Sequence, residues 1–413
     1  MKKTFFSIFM IFSSLLVTAF FLSCQSQGFQ TNPASNSNTT SSFIRGFDAS
    51  QVDFFEEEGV RWKDTDGEEK DFFEILKSHG INTVRLRIWK DPSQFNSSIN
   101  TGDNSLERTV KMARRVKNAG LSLLLDFHYS DTWADPGRQI LPAAWKNLKT
   151  EDQVAEVLAE YTSQVLTAIK NQAGILPSYV QVGNEINSGL LLHVASNPDN
   201  NNDITPYEFA GKSYGDGENF SPDRMVKYLK AGAQAVRNFD SSIKILLHLA
   251  GDPWYDDSWF FDPIKNGGVP FDAIGYSFYP WESSGMTISD LKKKIAFQKE
   301  KYGVQVMVVE SSSHWKDEDN LEYQICTCKS MTDPATGSVY SDLELAYSGG
   351  KAYVKGSVKN QARVLRHMID ESAAAGASGF FVWGGDLYGN YKWGMFDSSA
   401  KALESLDQFL PNP

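Results

Sequence analysis

The sequence predicts an α/β fold, a (β/α)8 TIM barrel forming a single domain. Three observations carry that expectation. Eight short apolar runs recur along the 413 residues. Patterns with helical spacing separate them, several closed by glycine. Strands that alternate with helices pair in parallel through crossovers, and eight such units fit a closed barrel. A doubly wound open sheet is the rival. It would often show a glycine-rich phosphate loop after an early strand, and the sequence has none there.

The runs justify themselves in order. "FIRGFDAS" (43–50) comes first. The helical pattern "DFFEILKSHG" then closes on Gly80 and leads into "INTVRLRIW" (81–89). "SLERTVKMARRVKNAG" closes on Gly120 and leads into "LSLLLDFHYS" (121–130). "YVQVGNE" (179–185), "IKILLHLA" (243–250), "FDAIGYSFY" (271–279) and "VQVMVVE" (304–310) follow. "ESAAAGASGFFVW" repeats the order of helix, glycine and strand, and opens the eighth run, "GFFVWGGD" (379–386). Between the seventh and eighth runs, residues 322–357 carry "CTC", "TDPATGS" and "SGGKAY". These are turn-like, and the segment reads as a long excursion above the barrel face.

The N-terminus reads as an export signal. "MKK" supplies the positive end, Phe5 to Leu22 is largely apolar, and "FLSC" places Cys24 after a small residue. This resembles a bacterial lipoprotein signal over 1–23, with lipid attached to the Cys24 thiol. An uncleaved anchor or ordinary signal cleavage are the alternatives. Residues 24–42 are polar and low in complexity, a flexible tether from the membrane to the folded domain at 43–413. The expected location is outside the cytoplasm, anchored to a membrane at the cell surface or periplasmic face. Cys326 and Cys328 are too close in sequence for an easy disulfide, and no zinc spacing is present. The formal net charge of −11 and the lack of a basic stripe exclude electrostatic capture of nucleic acid. Ten Trp, 16 Tyr and 27 Phe suit a packed core first, and also a surface that stacks on sugar rings. Oligomeric state is not legible.

Barrel chemistry lies at the C-terminal strand ends. Strand two offers Arg85 and Arg87. Strand three ends in Asp126, His128 and Tyr129, followed by Asp131 and Trp133. Strand four ends in Asn184 and Glu185, strand six in Tyr276 and Tyr279, strand seven in Glu310, and strand eight in Trp383. Two glutamates thus face one mouth. Paired carboxyl groups flanking a bond are what glycoside hydrolysis requires, one protonated and one ionised. A strand-two arginine could hold one of them ionised, and His128, Tyr279 and Trp383 could position it and a sugar. Trp133 and Trp281 are open between packing and sugar contact. His248 has no partner visible in sequence and reads as structural.

"GNEINSG", "DFHYSDTWADPG", "NTVRLRIW", "RGFDAS" and "IGYSFYPW" resemble the motifs of the endo-β-1,4-galactanases of glycoside hydrolase family 53. The resemblance runs from about Ile44 to Trp383. It implies a retaining enzyme acting within β-1,4-galactan or type I arabinogalactan, the side chain of pectin. It also implies roles: Glu185 as acid/base, Glu310 as nucleophile, Asn184 on the sugar 2-hydroxyl, Tyr279 on the nucleophile and Trp383 as a sugar platform. It leaves open whether Arg85 or Arg87 meets the nucleophile. No cofactor is required. Bacterial relatives often hold calcium after strand seven; "HWKDEDN" offers Asp317, Asp319 and Asn320, without the spacing expected of that site. Two other readings remain beside it. One is a different β-1,4-glycanase of the same clan, a mannanase or cellulase. The other is a lipoprotein that binds surface glycan without cutting it.

Overall fold

Eight strands alternate with helices and close on themselves. They are β1 (Ile44–Asp48), β2 (Thr83–Ile88), β3 (Ser122–Phe127), β4 (Tyr179–Val182), β5 (Lys244–Ala250), β6 (Ala273–Ser277), β7 (Gln305–Glu310) and β8 (Gly379–Val382). Each pairs in parallel with its sequence neighbours, and β1 pairs with β8 to complete the barrel. The computed structural model describes residues 43–411 except 101, 208–220, 280–285, 317–325, 328–344, 349–350 and 390. The export signal, Cys24, Trp281, Cys328, Asp317, Asp319 and Asn320 lie outside the described residues.

Helices α1 (Val52–Glu57) and α2 (Phe72–Ser78) follow β1. Then α3 (Leu106–Asn118) follows β2, α4 (Glu151–Ala168) β3, α5 (Pro222–Phe239) β4, α6 (Ser258–Asn266) β5, α7 (Ile288–Tyr302) β6 and α8 (Val358–Ala374) β7. Local chemistry sets their starts. Thr150 and Gln153 form a reciprocal capping box at α4, and Ser105 accepts from the Arg108 amide at α3.

Side-chain alternation sorts each strand between two cores. Along β3, Leu123, Leu125 and Phe127 join the layer between strands and helices. Leu124 instead joins an inner plug with Ile44, Tyr179, Leu246, Ala273, Met307, Val309 and Phe381. The plug needs a glycine beside Phe381, because a Cβ on Gly46 would stand 2.0 Å from that ring. One inward position further along, Leu124, Tyr179 and Leu246 give way to Asp126, Gln181 and His248, all buried. The floor of the mouth is therefore polar and rests on an apolar plug.

The excursion after β7 contains more regular structure than its turn-rich composition suggested. Cys326–Thr327, Leu345–Ser348 and Lys351–Val354 form an antiparallel three-stranded sheet. Short strands of this kind are hard to tell from turns by pattern alone.

Candidate active site

Two local irregularities aim the glutamates. Along β7, Val306 and Val308 face the helices while Met307 and Val309 face inward. Strict alternation would send Glu310 outward. A register shift against β6 sets Ser277 opposite Glu310, and the carboxyl turns into the barrel. At β4, Gly183 takes φ 89° and Glu185 takes φ 46°, both left-handed. Glycine adopts this freely, whereas in glutamate it is a conformation that the surroundings must hold. The turn carries Asn184 and Glu185 past the strand end to the mouth.

Arg85 is the hub. It is 1% exposed, and its guanidinium reaches Asp48 at 2.9 Å, Asp126 at 2.8 Å and Glu310 at 2.8 Å. It also donates to Asn184 Oδ1 at 2.9 Å and Gln181 Oε1 at 3.3 Å. Burial alone would weaken its protonation, but Asp126, Glu310 and Asp48 outweigh that and hold it charged. Burial likewise works against an ionised Asp126, yet Arg85 and His128 win and keep it below the usual aspartate range. For Glu310 burial wins: its carboxyl lies above the ordinary value, although Arg85 and the Tyr279 hydroxyl at 2.9 Å both pull it back. A buried cation with three carboxylates cannot lose its charge without leaving them uncompensated.

Arg87 does not share this role. Its guanidinium lies 4.2 Å from the Trp133 ring centroid and 3.5 Å from Asp48, so it braces an aromatic wall. His128 is buried with Nε2 3.2 Å from Asp126. Its Nδ1 accepts from the Trp89 indole and the Ala134 amide, both at 3.1 Å. On the Glu185 side, Oε1 stands 2.5 Å from Ser277 Oγ, and His248 Nε2 stands 2.9 Å from the same hydroxyl.

One cavity of about 710 Å³ opens at this mouth. Its wall includes Arg85, Arg87, His128, Trp133, Asn184, Glu185, Tyr279, Glu310 and Trp383. Trp383 meets Trp133, Tyr279 and Trp393 at ring-centroid distances of 6.3–6.5 Å, making a broad apolar face beside the carboxyls. Two carboxyls, a fixed cation and an aromatic wall suit a neutral, ring-shaped, hydroxyl-rich substrate.

The model of glycosyl hydrolase family 53 matches residues 44–409, nearly the whole described chain. The chain belongs to glycosyl hydrolase family 53. It is a glycoside hydrolase. It is 34% identical over 277 residues to an arabinogalactan endo-β-1,4-galactanase of Thermothelomyces thermophilus, covering 65% of this chain and 73% of that one. It is 31% identical over 346 residues to an endo-β-1,4-galactanase of Bacillus subtilis, covering 83% and 69%. A GH53 catalytic domain from Ignisphaera aggregans superposes with TM-score 0.69 at 28% identity, covering 90% of this chain and 97% of that domain.

Within this family 53 barrel, Arg85, Arg87, His128, Trp133, Asn184, Glu185, Tyr279, Glu310 and Trp383 converge on the cavity, whereas other strand-end residues do not. Asp131 does not line the cavity. It is buried 2% exposed, with Oδ1 accepting from the Asp91 amide at 2.9 Å and Oδ2 from the Ala143 amide at 2.7 Å. Tyr129, in a left-handed conformation (φ 49°), redirects the chain just before it, so Asp131 ties loops together. Tyr276 also faces the helices, giving its hydroxyl to Asp257 at 2.5 Å. His248 corrects the sequence reading the other way, since it contacts both Ser277 and Asn184. Asp48, Gln181, Ser277, Trp393 and Met286 were not singled out either. Asp48 sat inside "RGFDAS", and its inward position at a strand end was the available signal. Trp393 and Met286 lie in loops, where periodicity says nothing. Among the described residues no group of three or more His, Cys, Asp or Glu side chains could hold a metal ion.

Proposed function

We propose that this family 53 hydrolase cuts β-1,4-galactan within the chain and retains configuration at the anomeric carbon. The observation that carries the reading is the unequal pair of carboxyls at one mouth. Glu310, held by Arg85 and Tyr279 in the inner wall, is the nucleophile. Glu185, on the β4 turn, is the acid/base. Glu185 protonates the leaving oxygen while Glu310 attacks the anomeric carbon and forms a glycosyl-enzyme. Glu185, now ionised, takes a proton from water, which displaces Glu310. Asn184 bonds the sugar 2-hydroxyl as charge develops at the anomeric carbon, and Trp383 stacks under the ring. The residues present supply this chemistry with water alone. Galactan as substrate is supported by relatives whose names state that activity.

Incubation with galactan, mannan and cellulose, followed by product sizing, tests the substrate. Galactan should be shortened to a ladder of oligosaccharides and the others left intact. NMR should show the β-anomer first; early α-anomer would refute retention. Mannan or cellulose cleavage would favour another glycanase, and binding without products a non-catalytic role. The reading extends to the N-terminus: "FLSC" and the polar tether support export with lipid on Cys24. Cys24→Ser should then release the protein from membranes, and continued membrane association would point to the apolar run as anchor.

A further inference from the structure

Glu185 stands at the end of a hydrogen-bond chain that begins in the charged core. Arg85 donates to Asn184 Oδ1 at 2.9 Å, Gln181 Nε2 lies 3.0 Å from the same oxygen, and Asn184 Nδ2 donates to the Ala134 carbonyl at 2.8 Å. The Asn184 amide cannot be turned over without losing all three. Its oxygen is 2.9 Å from His248 Nδ1. Two acceptors at that distance repel, so the His248 proton sits on Nδ1. The two other donors near Nδ1 do not compete. Gln181 Nε2, at 3.1 Å, has three oxygen acceptors for its two protons: Asp126 Oδ1 at 2.5 Å, Asn184 Oδ1 at 3.0 Å and the Gly183 carbonyl at 3.2 Å. The Glu185 amide, at 3.4 Å, is beyond good hydrogen-bond length.

His248 is fully buried. Arg85 faces it from β2, Asp126 and His128 from β3, and Glu185 from the β4 turn. Burial and Arg85 push its imidazolium form down far more than Asp126 supports it, so the ring is neutral. A neutral ring protonated on Nδ1 has a bare Nε2, and this atom accepts a hydrogen bond from the Ser277 hydroxyl across 2.9 Å. The Ser277 oxygen then offers Glu185 Oε1, 2.5 Å away, only lone pairs. A carboxylic acid O–H fits that contact; a carboxylate oxygen does not.

We propose that His248 is a positioning residue for the catalytic acid: acting through Ser277, it favours the protonated form of Glu185. The inference rests on the acid/base role given to Glu185 above. It serves both steps. Before cleavage, Glu185 carries the proton that the leaving oxygen needs. After cleavage, the same bias makes ionised Glu185 a stronger base toward the incoming water.

The sign of one pH shift tests it. Ser277→Ala removes an acceptor from the acid form of Glu185 and no donor from the carboxylate. The basic limb of kcat/KM on galactan should therefore move down by about one pH unit, the worth of one hydrogen bond. If Ser277 instead donates to an ionised Glu185, the limb moves up, which overturns the proposal. A limb that stays in place while activity drops at every pH marks a merely structural role and overturns it too. Nitrogen-15 NMR of histidine-labelled protein, with His248→Gln used for assignment, reads the tautomer directly: Nδ1 should carry the proton, and a proton on Nε2 contradicts the chain. The parent reading has its own control. Glu185→Ala should have no basic limb on polymer; if the limb persists, the acid/base assignment fails and this inference falls with it.

Discussion

The ends of β4 and β7 present the same side chain in opposite surroundings. Glu310 is 6% exposed and sits among charges: Arg85 at 2.8 Å, with Asp48 and Asp126 on the same guanidinium. Glu185 is only partly buried, and the chain behind it, Ser277 and then His248, is neutral. The difference separates two demands. A nucleophile must be ionised when substrate arrives, and the fixed Arg85 cation pulls Glu310 that way, against a burial that still leaves its carboxyl above the ordinary value. An acid/base must gain and lose a proton each turnover. Neutral hydroxyl and imidazole groups allow this without leaving a buried charge uncompensated.

The most damaging way to break the comparison is Glu310→Gln. The amide keeps the shape and the Tyr279 contact, and Arg85 keeps Asp48 and Asp126. The protein should fold, with a melting temperature within a few degrees of the parent. Activity should fall by roughly 10⁵- to 10⁶-fold, as when a catalytic nucleophile is removed from other hydrolases, on every substrate tried. Activity within tenfold of the parent on any galactoside would end the assignment of Glu310.

Glu185→Ala should be milder and substrate-dependent. General acid–base help is worth about 100- to 10,000-fold, and polymer cleavage should drop by that much. An aryl galactoside with a good leaving group, if it enters the cavity, needs no proton and should still form the glycosyl-enzyme. Azide, which attacks without deprotonation, should then restore turnover and yield a β-galactosyl azide. Rescue of Glu310→Ala with an α-product, and none for Glu185→Ala, would reverse the two roles.

The difference in setting also shows what was readable in sequence. Both glutamates were legible, because each follows a Val-rich run whose length and pattern mark a barrel strand. The eight strands were legible for the same reason. The wiring was not. Arg85 and Arg87 share one inward face, and only the closed barrel shows that Arg85 meets Glu310 while Arg87 braces Trp133. His248 had no sequence partner because Asn184 and Ser277, which flank it, lie 64 and 29 residues away. Asp131 misled because it follows "DFHYS", where a left-handed Tyr129 turns the chain off the expected path.

The smallest effect on activity, and a sharp test of the crowded side, concerns Asp386 in the loop after β8. It is 2% exposed, and its Oδ2 accepts from the Gln51 amide at 2.8 Å. Burial and the neighbouring Asp48 push its carboxyl up to about 7, against the pull of Arg87 and the Gln51 amide. In the unfolded chain an aspartate titrates near 3.9. The folded protein therefore binds the extra proton between those values, and this group makes stability fall as pH rises from about 4 to about 7. Above that range its cost is fully present. Asp386→Asn keeps an acceptor for Gln51 and removes the charge. It should stabilise the protein at pH 8, by about 4 kcal/mol at most, and give little or no gain near pH 4. Thermal melts of parent and variant across pH would show the two curves converging in acid and parting in base. Parallel curves would mean that Asp386 is already charged in the folded state, and that the Arg85 side of the mouth holds one more anion beside Asp48, Asp126 and Glu310.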